Sequence, residues 1–225
     1  MSANRDEARR YFEGEAADDF DAIYDNEGGT LTRFINRVFR KGMRERVELT
    51  LLECERTRGT VLDVGCGSGR VSIMMAKRGM RVIGIDYSQR MIELARGYLD
   101  EERKRSGVDL DVEFITADFM ESYDPESKFE MTVALGVFDY VPDPGPFLEK
   151  MASITDGKMI SAFPDRFAFQ MPLRKLWLQK RGCPVFFYSE KDVRKLHEEL
   201  GFDNYDITRV SAGFLVKAVA REALD

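Results

Sequence analysis

A nine-residue run, V-L-D-V-G-C-G-S-G at positions 61–69, constrains the fold of this chain more than any other feature. Residues with strand character lead into three glycines at alternate positions, and Asp63 stands two residues before the first of them. Glycine allows a backbone to turn tightly and to approach a bound molecule closely. A strand that enters a glycine-rich loop and then a helix is typical of α/β folds that bind a nucleotide-like ligand at the carboxyl ends of their strands.

The rest of the sequence alternates between strand-like and helix-like segments. Predicted strands cover residues 61–64, 81–85, 112–116, 131–135, 158–163, 205–210 and 213–219. Predicted helices cover residues 70–78, a segment capped by Ser88 that runs to about residue 105, a segment around Phe147, and residues 190–200. Such alternation produces βαβ units, so we expect an α/β fold with a mostly parallel sheet and helices on both faces. A short turn joins the last two strands, so the last strand should run antiparallel.

The 225 residues fit a single domain with four parts. These are a helical N-terminal cover (residues 1–58), a cofactor-binding core (59–163), an insert on the substrate side (164–188), and a C-terminal helix and hairpin (189–225). Within the cover, the pattern predicts short helices at 5–12 and 16–24, a turn at 26–29, and a longer helix from Thr30 to about Glu53.

Charge and hydrophobicity narrow the class of protein. The chain carries 34 basic and 40 acidic side chains, a net charge of −6, which argues against a general nucleic-acid binder. It has no apolar run long enough to span a membrane. The charged N-terminus does not resemble a secretory signal peptide. We therefore expect a cytoplasmic protein that binds neither nucleic acid nor membrane, and the sequence leaves its oligomeric state open.

Cysteine and histidine are scarce and poorly spaced for metal binding or nucleophilic catalysis. The three cysteines, Cys54, Cys66 and Cys183, lie far apart, and His197 is the only histidine. We expect no disulfide scaffold and no metal site. A Ser-His-Asp or Cys-His hydrolase would need His197 as its base. The helical pattern instead predicts that His197 is partly exposed, beside a buried stripe formed by Val193, Leu196 and Leu200.

The chemistry of the glycine loop favours a cationic ligand. Dinucleotide sites carry G-x-G-x-x-G, which would require a glycine at the position of Arg70. Asp63 at the mouth of the loop would repel a diphosphate, but it would attract a ligand whose near end is positive. S-adenosylmethionine has an ammonium group, a sulfonium centre and an adenosine, and it has no phosphate. It therefore fits the loop better than a dinucleotide does.

Two acids further along the chain agree with this interpretation. Asp86 ends the second predicted strand, 17 residues after Gly69, where a carboxylate can accept both ribose hydroxyls. The third predicted strand ends in T-A-D-F at residues 116–119, where Asp118 and Phe119 could hold the edge and the face of an adenine.

Residues 63–69, 84–88 and 117–119 together resemble three successive cofactor motifs of the class I S-adenosylmethionine-dependent methyltransferases. The resemblance covers residues 59–163 and extends to the closing hairpin. It implies a Rossmann-like sheet of seven strands, mostly parallel, with an antiparallel last strand, and a bound S-adenosylmethionine. The implied cofactor contacts are Asp63, Gly65, Cys66, Gly67 and Gly69 at the methionine end, Asp86, Tyr87 and Met91 at the ribose and adenosine, Asp118 and Phe119 at the adenine, and Leu135 under the sulfonium. The N-terminal helices would close over the cofactor, with Tyr11, Tyr24 or Arg33 as contacts.

The resemblance implies transfer of a methyl group to a small-molecule acceptor by in-line displacement. Such a reaction depends mainly on alignment, and we identify no catalytic residue. Asp139 and Tyr140 are candidates for a general base, although packing or loop capping explains them equally well. Cys66 is interpreted as a small residue in a tight loop rather than a nucleophile.

Other functions remain open at this point. A dinucleotide-dependent oxidoreductase and a non-catalytic cofactor-binding or regulatory protein are the alternatives from other classes. A protein acceptor is also open. Nucleic-acid methylation is disfavoured by the acidic balance and by the lack of an N-P-P-Y or D-P-P-Y tetrapeptide.

The insert at residues 164–188 is the most unusual stretch of the chain. It contains five aromatic residues besides Tyr188, together with the basic residues Arg166, Arg174, Lys175, Lys180 and Arg181. This composition suits a flat apolar acceptor that bears a negative group, or else an amphipathic helix that completes the core. Together with R-V-S-A-G-F at residues 209–214, the insert resembles the magnesium-protoporphyrin methyltransferases, which esterify a tetrapyrrole carboxylate.

Overall fold

The structure is a computed structural model and describes residues 30–57, 59–168 and 185–219. The helices predicted at 5–12 and 16–24, the turn at 26–29, and the contacts expected of Tyr11 and Tyr24 lie outside the described residues. So do the centre of the insert and the side chain of Arg33.

Helices and strands alternate along the described chain. In chain order they are α1 (Thr30–Cys54), β1 (Thr60–Val64), α2 (Arg70–Ala76), β2 (Arg81–Asp86), α3 (Gln89–Ser106), β3 (Val112–Thr116), β4 (Phe129–Ala134), α4 (Gly145–Ser153), β5 (Thr155–Pro164), α5 (Glu190–Glu199), β6 (Tyr205–Val210) and β7 (Gly213–Val219). The elements predicted within the described residues are confirmed, and their bounds differ from those predicted by at most about three residues. β3, β6 and β7 begin and end where they were predicted.

Seven strands within the described residues form one sheet in the order β3-β2-β1-β4-β5-β7-β6. Strands β1 to β5 are parallel to one another, while β7 runs antiparallel to both β5 and β6. The predicted α/β class, the mostly parallel sheet and the antiparallel last strand are confirmed. The strand order reverses between β1 and β4, and in open α/β sheets ligands bind at the carboxyl ends of the strands at such a point.

Apolar side chains on the two sides of the sheet form two separate cores. Val61 in β1 belongs to the core that contains residues of α1, α2 and α3. Its neighbour Leu62 belongs to the core that contains residues of α4 and α5. Successive side chains of a strand point to opposite faces, so a central strand buried on both sides must be apolar throughout. Asp63 is a buried charge in such a strand and therefore requires a specific explanation.

Local capping determines where α3 begins and ends. The hydroxyl of Ser88 accepts a hydrogen bond from the backbone N–H of Met91 at 3.3 Å, and Gly107 stops the helix with φ of 69°. Both signals were read from the sequence, because serine caps helix starts and glycine takes the left-handed conformation at helix ends.

His197 is fully buried, so the prediction of a partly exposed residue is wrong. Its Nδ1 lies 2.7 Å from the carbonyl oxygen of Val193, and its ring packs among Phe163, Phe202 and Tyr205. Burial lowers the pKa of His197 below its ordinary value, against the opposing hydrogen bond to Val193. The helical pattern underestimated the buried face because the chain after α5 folds back over the helix and covers the histidine with two aromatic rings. His197 is thus a core residue.

Helix α1 is fixed to the sheet at two points. Glu53 accepts hydrogen bonds from Lys158 Nζ at 2.9 Å and from Lys217 Nζ at 3.1 Å. Glu45, eight residues earlier, contacts Ser211 in the turn between β6 and β7. That turn lies at the carboxyl edge of the sheet, because β6 runs in the same direction as β5. The first half of α1 therefore continues past this edge.

No helix among the described residues is long and apolar enough to cross a membrane.

Candidate cofactor and acceptor site

The glycine loop follows β1 and folds against the end of β2. Gly65, Gly67 and Gly69 have φ of 67°, 53° and 71°, a left-handed conformation that other residues adopt only at a cost. The N–H groups of Gly65 and Cys66 both donate to the carbonyl of Ile85, at 2.8 and 3.0 Å. The loop is thereby held at the carboxyl ends of β1 and β2.

Two of these glycines are also required by close packing. A Cβ built on Gly69 would lie 2.8 Å from the Cβ of Ala95, and a Cβ on Gly65 would lie 2.5 Å from Cγ2 of Val137. Gly67 differs, because a Cβ there would meet nothing within 4 Å. The loop is therefore packed against α3 on one side and against the segment after β4 on the other, and it is open at Gly67.

This difference predicts unequal effects of two alanine substitutions. Gly67→Ala should lower the free energy of unfolding by about 1 kcal/mol, the cost of a left-handed alanine. Gly69→Ala adds overpacking against Ala95 and Phe114 and should cost about 3 kcal/mol. Urea unfolding of the two variants measures the difference. Equal losses would mean that the surroundings of Gly69 yield without cost.

Asp86 connects the glycine loop to the start of α3. Its Oδ2 accepts the N–H of Gly67 at 3.0 Å, and its Oδ1 accepts the N–H of Ser88 at 2.9 Å. Desolvation raises the pKa of Asp86 to about 6, although both N–H groups act in the opposite direction. A carboxylate offers about four acceptor positions, so each oxygen keeps capacity for a further donor. The side chain is oriented by the backbone and can still accept two hydroxyl groups.

Asp63 lies in the middle of the sheet and is 3 % exposed. Ser72 in α2 donates a hydrogen bond from Oγ to its Oδ2 at 2.6 Å. Desolvation raises the pKa of Asp63 to about 6, the hydrogen bond from Ser72 opposes this, and the charge of Asp86 raises it further. A buried carboxylate is costly unless a positive group compensates it, so the pair of acids fits a cationic ligand.

The residues expected at the adenine take different positions. Oδ1 of Asp118 accepts the N–H groups of Met120 and Glu121, at 2.9 and 3.1 Å. Phe119 is 6 % exposed, and its ring centroid lies 4.7 Å from that of Phe147. The structure thus places this ring in the core beneath α4, because Phe147 packs against it. Contact of Asp118 and Phe119 with an adenine stays a prediction.

The remaining expected contacts surround the loop at different depths. Tyr87 is half-buried next to Asp86, whereas Met91 is 2 % exposed and lies in the first turn of α3. Leu135 is 8 % exposed at the end of β4, and Val137 follows it into contact with Gly65. The segment after β4 therefore packs against the first glycine of the loop. Contact of Tyr87, Met91 and Leu135 with the cofactor stays a prediction.

Cys66 is unsuited to act as a nucleophile. Burial raises the pKa of its thiol well above the ordinary value, and the charges of Asp63 and Asp86 raise it further. Since the thiolate is the reactive form, this supports the interpretation of Cys66 as a small loop residue. The described residues contain no cluster of three or more His, Cys, Asp or Glu side chains that could hold a metal ion.

The segment after β4 also contacts the returning end of the insert. The backbone carbonyl of Asp139 accepts the N–H of Phe186 at 2.9 Å, and the hydroxyl of Tyr188 donates to the carbonyl of Val141 at 3.1 Å. Burial raises the pKa of Tyr188, and the charges of Asp139 and Asp143 raise it further. The Asp139 residue is 4 % exposed, and Tyr140 is half-buried. These contacts place the described end of the insert, residues 185–188, beside the segment that follows β4.

Sequence reasoning missed the partners that orient these side chains. The hydrogen bond from Ser72 to Asp63 and the N–H of Gly67 on Asp86 leave no signal in the order of residues. The contact of Tyr188 with Val141 joins positions 47 residues apart. Only the fold of the loop and of the sheet brings these groups together.

Comparison with known proteins identifies the family. Residues 56–182, more than half of the chain, match the family model described as Methyltransferase domain. The chain therefore belongs to the methyltransferase-domain family, within the class I enzymes that use S-adenosylmethionine as methyl donor. This result excludes the alternative of a dinucleotide-dependent oxidoreductase. The prediction of a methyltransferase is confirmed at the level of the family.

Two curated proteins and one solved structure show which methyltransferases this chain is similar to. A magnesium-protoporphyrin O-methyltransferase of Rhodobacter capsulatus is 29 % identical over 184 residues, which cover 76 % of this chain and 74 % of the relative. A ubiquinone biosynthesis O-methyltransferase of Stutzerimonas stutzeri (strain A1501) is 37 % identical over 94 residues, 42 % of this chain and only 38 % of the relative's length. The crystal structure of magnesium protoporphyrin IX methyltransferase from Synechocystis PCC 6803 with bound S-adenosylmethionine has a TM-score of 0.74, with 21 % identity and 96 % of each chain covered. The last likeness shows that the two proteins share a fold.

Proposed function

We propose that this protein transfers a methyl group from S-adenosylmethionine to an oxygen atom of a small, flat, apolar acceptor that carries a carboxylate. The observation that carries the cofactor part of this proposal is the pair of desolvated acids, Asp63 and Asp86, on either side of a loop of left-handed glycines. Both acids have a raised pKa, so both gain from a ligand with a positive charge.

Each part of the site has a distinct role in this proposal. When bound, S-adenosylmethionine supplies a methyl group activated by a sulfonium centre. Asp63 compensates the positive methionine end, and the backbone of residues 65–69 lies close to it. Asp86 accepts hydrogen bonds from the ribose hydroxyls with the acceptor capacity that Gly67 and Ser88 leave free. Leu135 and Val137 exclude water beside the first glycine.

A carboxylate acceptor agrees with the absence of an identified general base. A carboxylate is already ionised at neutral pH, so its oxygen can form the new bond to carbon without losing a proton. A phenol would first have to give up its proton. Asp139 and Tyr140 then need only pack and shape the pocket, and alignment supplies most of the rate.

The shape of the acceptor is inferred from the insert and from the relatives. Tyr188, Phe186 and the exposed Phe167 lie at the ends of the insert, beside the carboxyl ends of β4 and β5. Aromatic side chains suit the face of a flat ring system, and the arginine and lysine residues of the insert suit its acid group. The relative with the longer match is named for a porphyrin acceptor, and the second for ubiquinone biosynthesis.

Methylation of magnesium-protoporphyrin IX by the purified protein tests the acceptor. With methyl-labelled S-adenosylmethionine, we expect label in a methyl ester that mild base releases. A panel of phenolic quinone precursors distinguishes the hydroxyl alternative, since an aryl methyl ether survives the same treatment. Label only in the ether would contradict the carboxylate acceptor. Binding of S-adenosylhomocysteine without label in any acceptor would favour the non-catalytic alternative. The expected cytoplasmic location stays a prediction for cell fractionation.

A further inference from the structure

The segment Arg209–Phe214 contacts both of the structures that flank the acceptor side of the site. Its first partner is α1. The carboxylate of Glu45 accepts the N–H of Ser211 at 2.6 Å and the hydroxyl of Ser211 at 2.7 Å. Gly42, one turn earlier on the same helix, lies directly against Ala212, because a Cβ on Gly42 would overlap the methyl group of Ala212. Two contacts one turn apart fix both the position and the rotation of the helix.

The second partner of this segment is the first part of the insert, residues 164–168, called here the root of the insert. The N–H of Asp165 donates to the carbonyl of Ala212 at 3.2 Å, and the guanidinium of Arg209 lies 3.3 Å from Oδ2 of Asp165. The same guanidinium lies 5.2 Å from the centre of the Phe214 ring. Asp165 is 4 % exposed, and its Oδ1 accepts the N–H of Phe167, the next residue but one of the insert.

Gly213 makes the contact between strand and turn possible. A Cβ at this position would overlap the carbonyl oxygen of Phe163, so only glycine allows β7 to begin directly beside the end of β5. The turn therefore sits at one place where α1, the end of β5 and the insert meet. Five of the six residues in R-V-S-A-G-F thus have a partner in one of these elements. The sixth, Val210, packs against the core that contains residues of α1.

The other attachment of α1 does not involve the insert. Glu53 contacts Lys158 and Lys217, which lie on β5 and β7 toward the opposite edge of the sheet. The eight residues between Glu45 and Glu53 correspond to about 12 Å of helix. The attachment at Glu53 holds the helix on the sheet. The attachment at Glu45 joins the helix to the segment that also contacts the insert.

We propose that the segment Arg209–Phe214 is a junction that positions the first half of α1 and the root of the insert as one unit, and thereby sets the shape of the acceptor pocket. Glu45, Ser211 and Asp165 are then positioning residues for the acceptor. Only the last step, from joint positioning to acceptor recognition, rests on the proposed function.

Gly42→Ala separates the junction from α1 without weakening the helix itself. Alanine has a higher helix propensity than glycine, so α1 gains intrinsic stability while the new methyl group pushes against Ala212. Gly97→Ala is the matched control, because Gly97 is an exposed glycine in α3 whose added Cβ meets nothing within 4 Å. The double variant Gly42→Ala/Ala212→Gly removes the opposing methyl group and should restore the contact.

Hydrogen exchange of the backbone amides measures whether α1 and the insert are held by the same junction. We expect Gly42→Ala to speed exchange about tenfold both in residues 30–41 and at the two ends of the insert, residues 164–168 and 185–188. The double variant should return both regions to the wild-type rate, and Gly97→Ala should leave both unchanged. Faster exchange in α1 alone, or in neither region, would overturn the proposal. Ser211→Ala, which removes one hydrogen bond and adds no atom, gives a second measurement if Gly42→Ala folds poorly.

Kinetics separate the junction from the cofactor site. For Gly42→Ala we expect the KM for the acceptor to rise about tenfold, which is a larger factor than the rise in the Kd for S-adenosylhomocysteine. An unchanged acceptor KM, with coupled exchange, would remove the step to acceptor recognition. If no acceptor is methylated at all, the proposed function fails, and the exchange experiment still decides whether the junction exists.

Discussion

Asp86→Asn is expected to weaken the binding of S-adenosylhomocysteine about 100-fold or more. Two hydroxyl groups donating to one ionised carboxylate contribute about 1.5–3 kcal/mol each, and 1.4 kcal/mol corresponds to a factor of ten. The asparagine keeps the size of the side chain, but it loses the charge and one acceptor oxygen. Calorimetric titration at pH 8, where the wild-type carboxyl is ionised, measures the loss.

The control for this substitution must separate binding from folding. Asp86 also holds the N–H groups of Gly67 and Ser88, so thermal unfolding without ligand shows whether the loop still forms. Asp100→Asn, an exposed acid on α3, changes the net charge equally and should leave the affinity unchanged. An affinity of Asp86→Asn within a few-fold of wild type would contradict the assignment of Asp86 to the ribose.

Cofactor affinity is also expected to depend strongly on pH in the acid range. The carboxyl groups of Asp63 and Asp86 each have a pKa raised to about 6 by desolvation. If the ligand binds when both are ionised, each group reduces the affinity about tenfold at pH 5, and together they reduce it about 100-fold relative to pH 7.5. The ammonium group of S-adenosylhomocysteine stays protonated over this range. Titration at half-unit steps of pH measures the dependence.

The sign of this effect is opposite to that for folding. Both pKa values lie above the ordinary 3.8, so the stability that the protonated carboxyls contribute is present below about pH 4 and is lost as the pH rises through about 6. Ligand binding favours the ionised forms, so the ligand-induced rise in Tm should grow over the same interval. Asp63→Asn should reduce the fall in affinity between pH 7.5 and 5 to about tenfold. A flat profile for the wild type would show that neither acid responds to the ligand.

The secondary structure was predictable because its signals are local. Ser88 and Gly107 mark the two ends of α3 through their own backbone conformations. The alternation of strands and helices predicted the parallel sheet, and the short turn before Gly213 predicted the antiparallel last strand. Each of these inferences depends on residues within a few positions of one another.

The candidate site was predictable where its functional residues stand close together in the sequence. Asp63 and the three glycines of the loop stand together in the sequence, and the spacing to Asp86 follows from one βαβ unit. The ring of Phe119 and the burial of His197 were not predictable in the same way. Phe147 covers the first, and Phe202 and Tyr205 cover the second, and neither contact has a local signal.

The sequence by itself determined the α/β class, the positions of the elements and a cationic ligand at an acidic, glycine-rich loop. Only the tertiary structure decided that Ser72 holds Asp63, and that Glu45 and Ser211 meet across 166 residues at a shared turn. The physical reason lies in the range of the interactions. Capping, propensity and left-handed glycines act over a few residues, whereas burial and the pairing of distant side chains depend on which strands and helices lie next to one another in the folded chain.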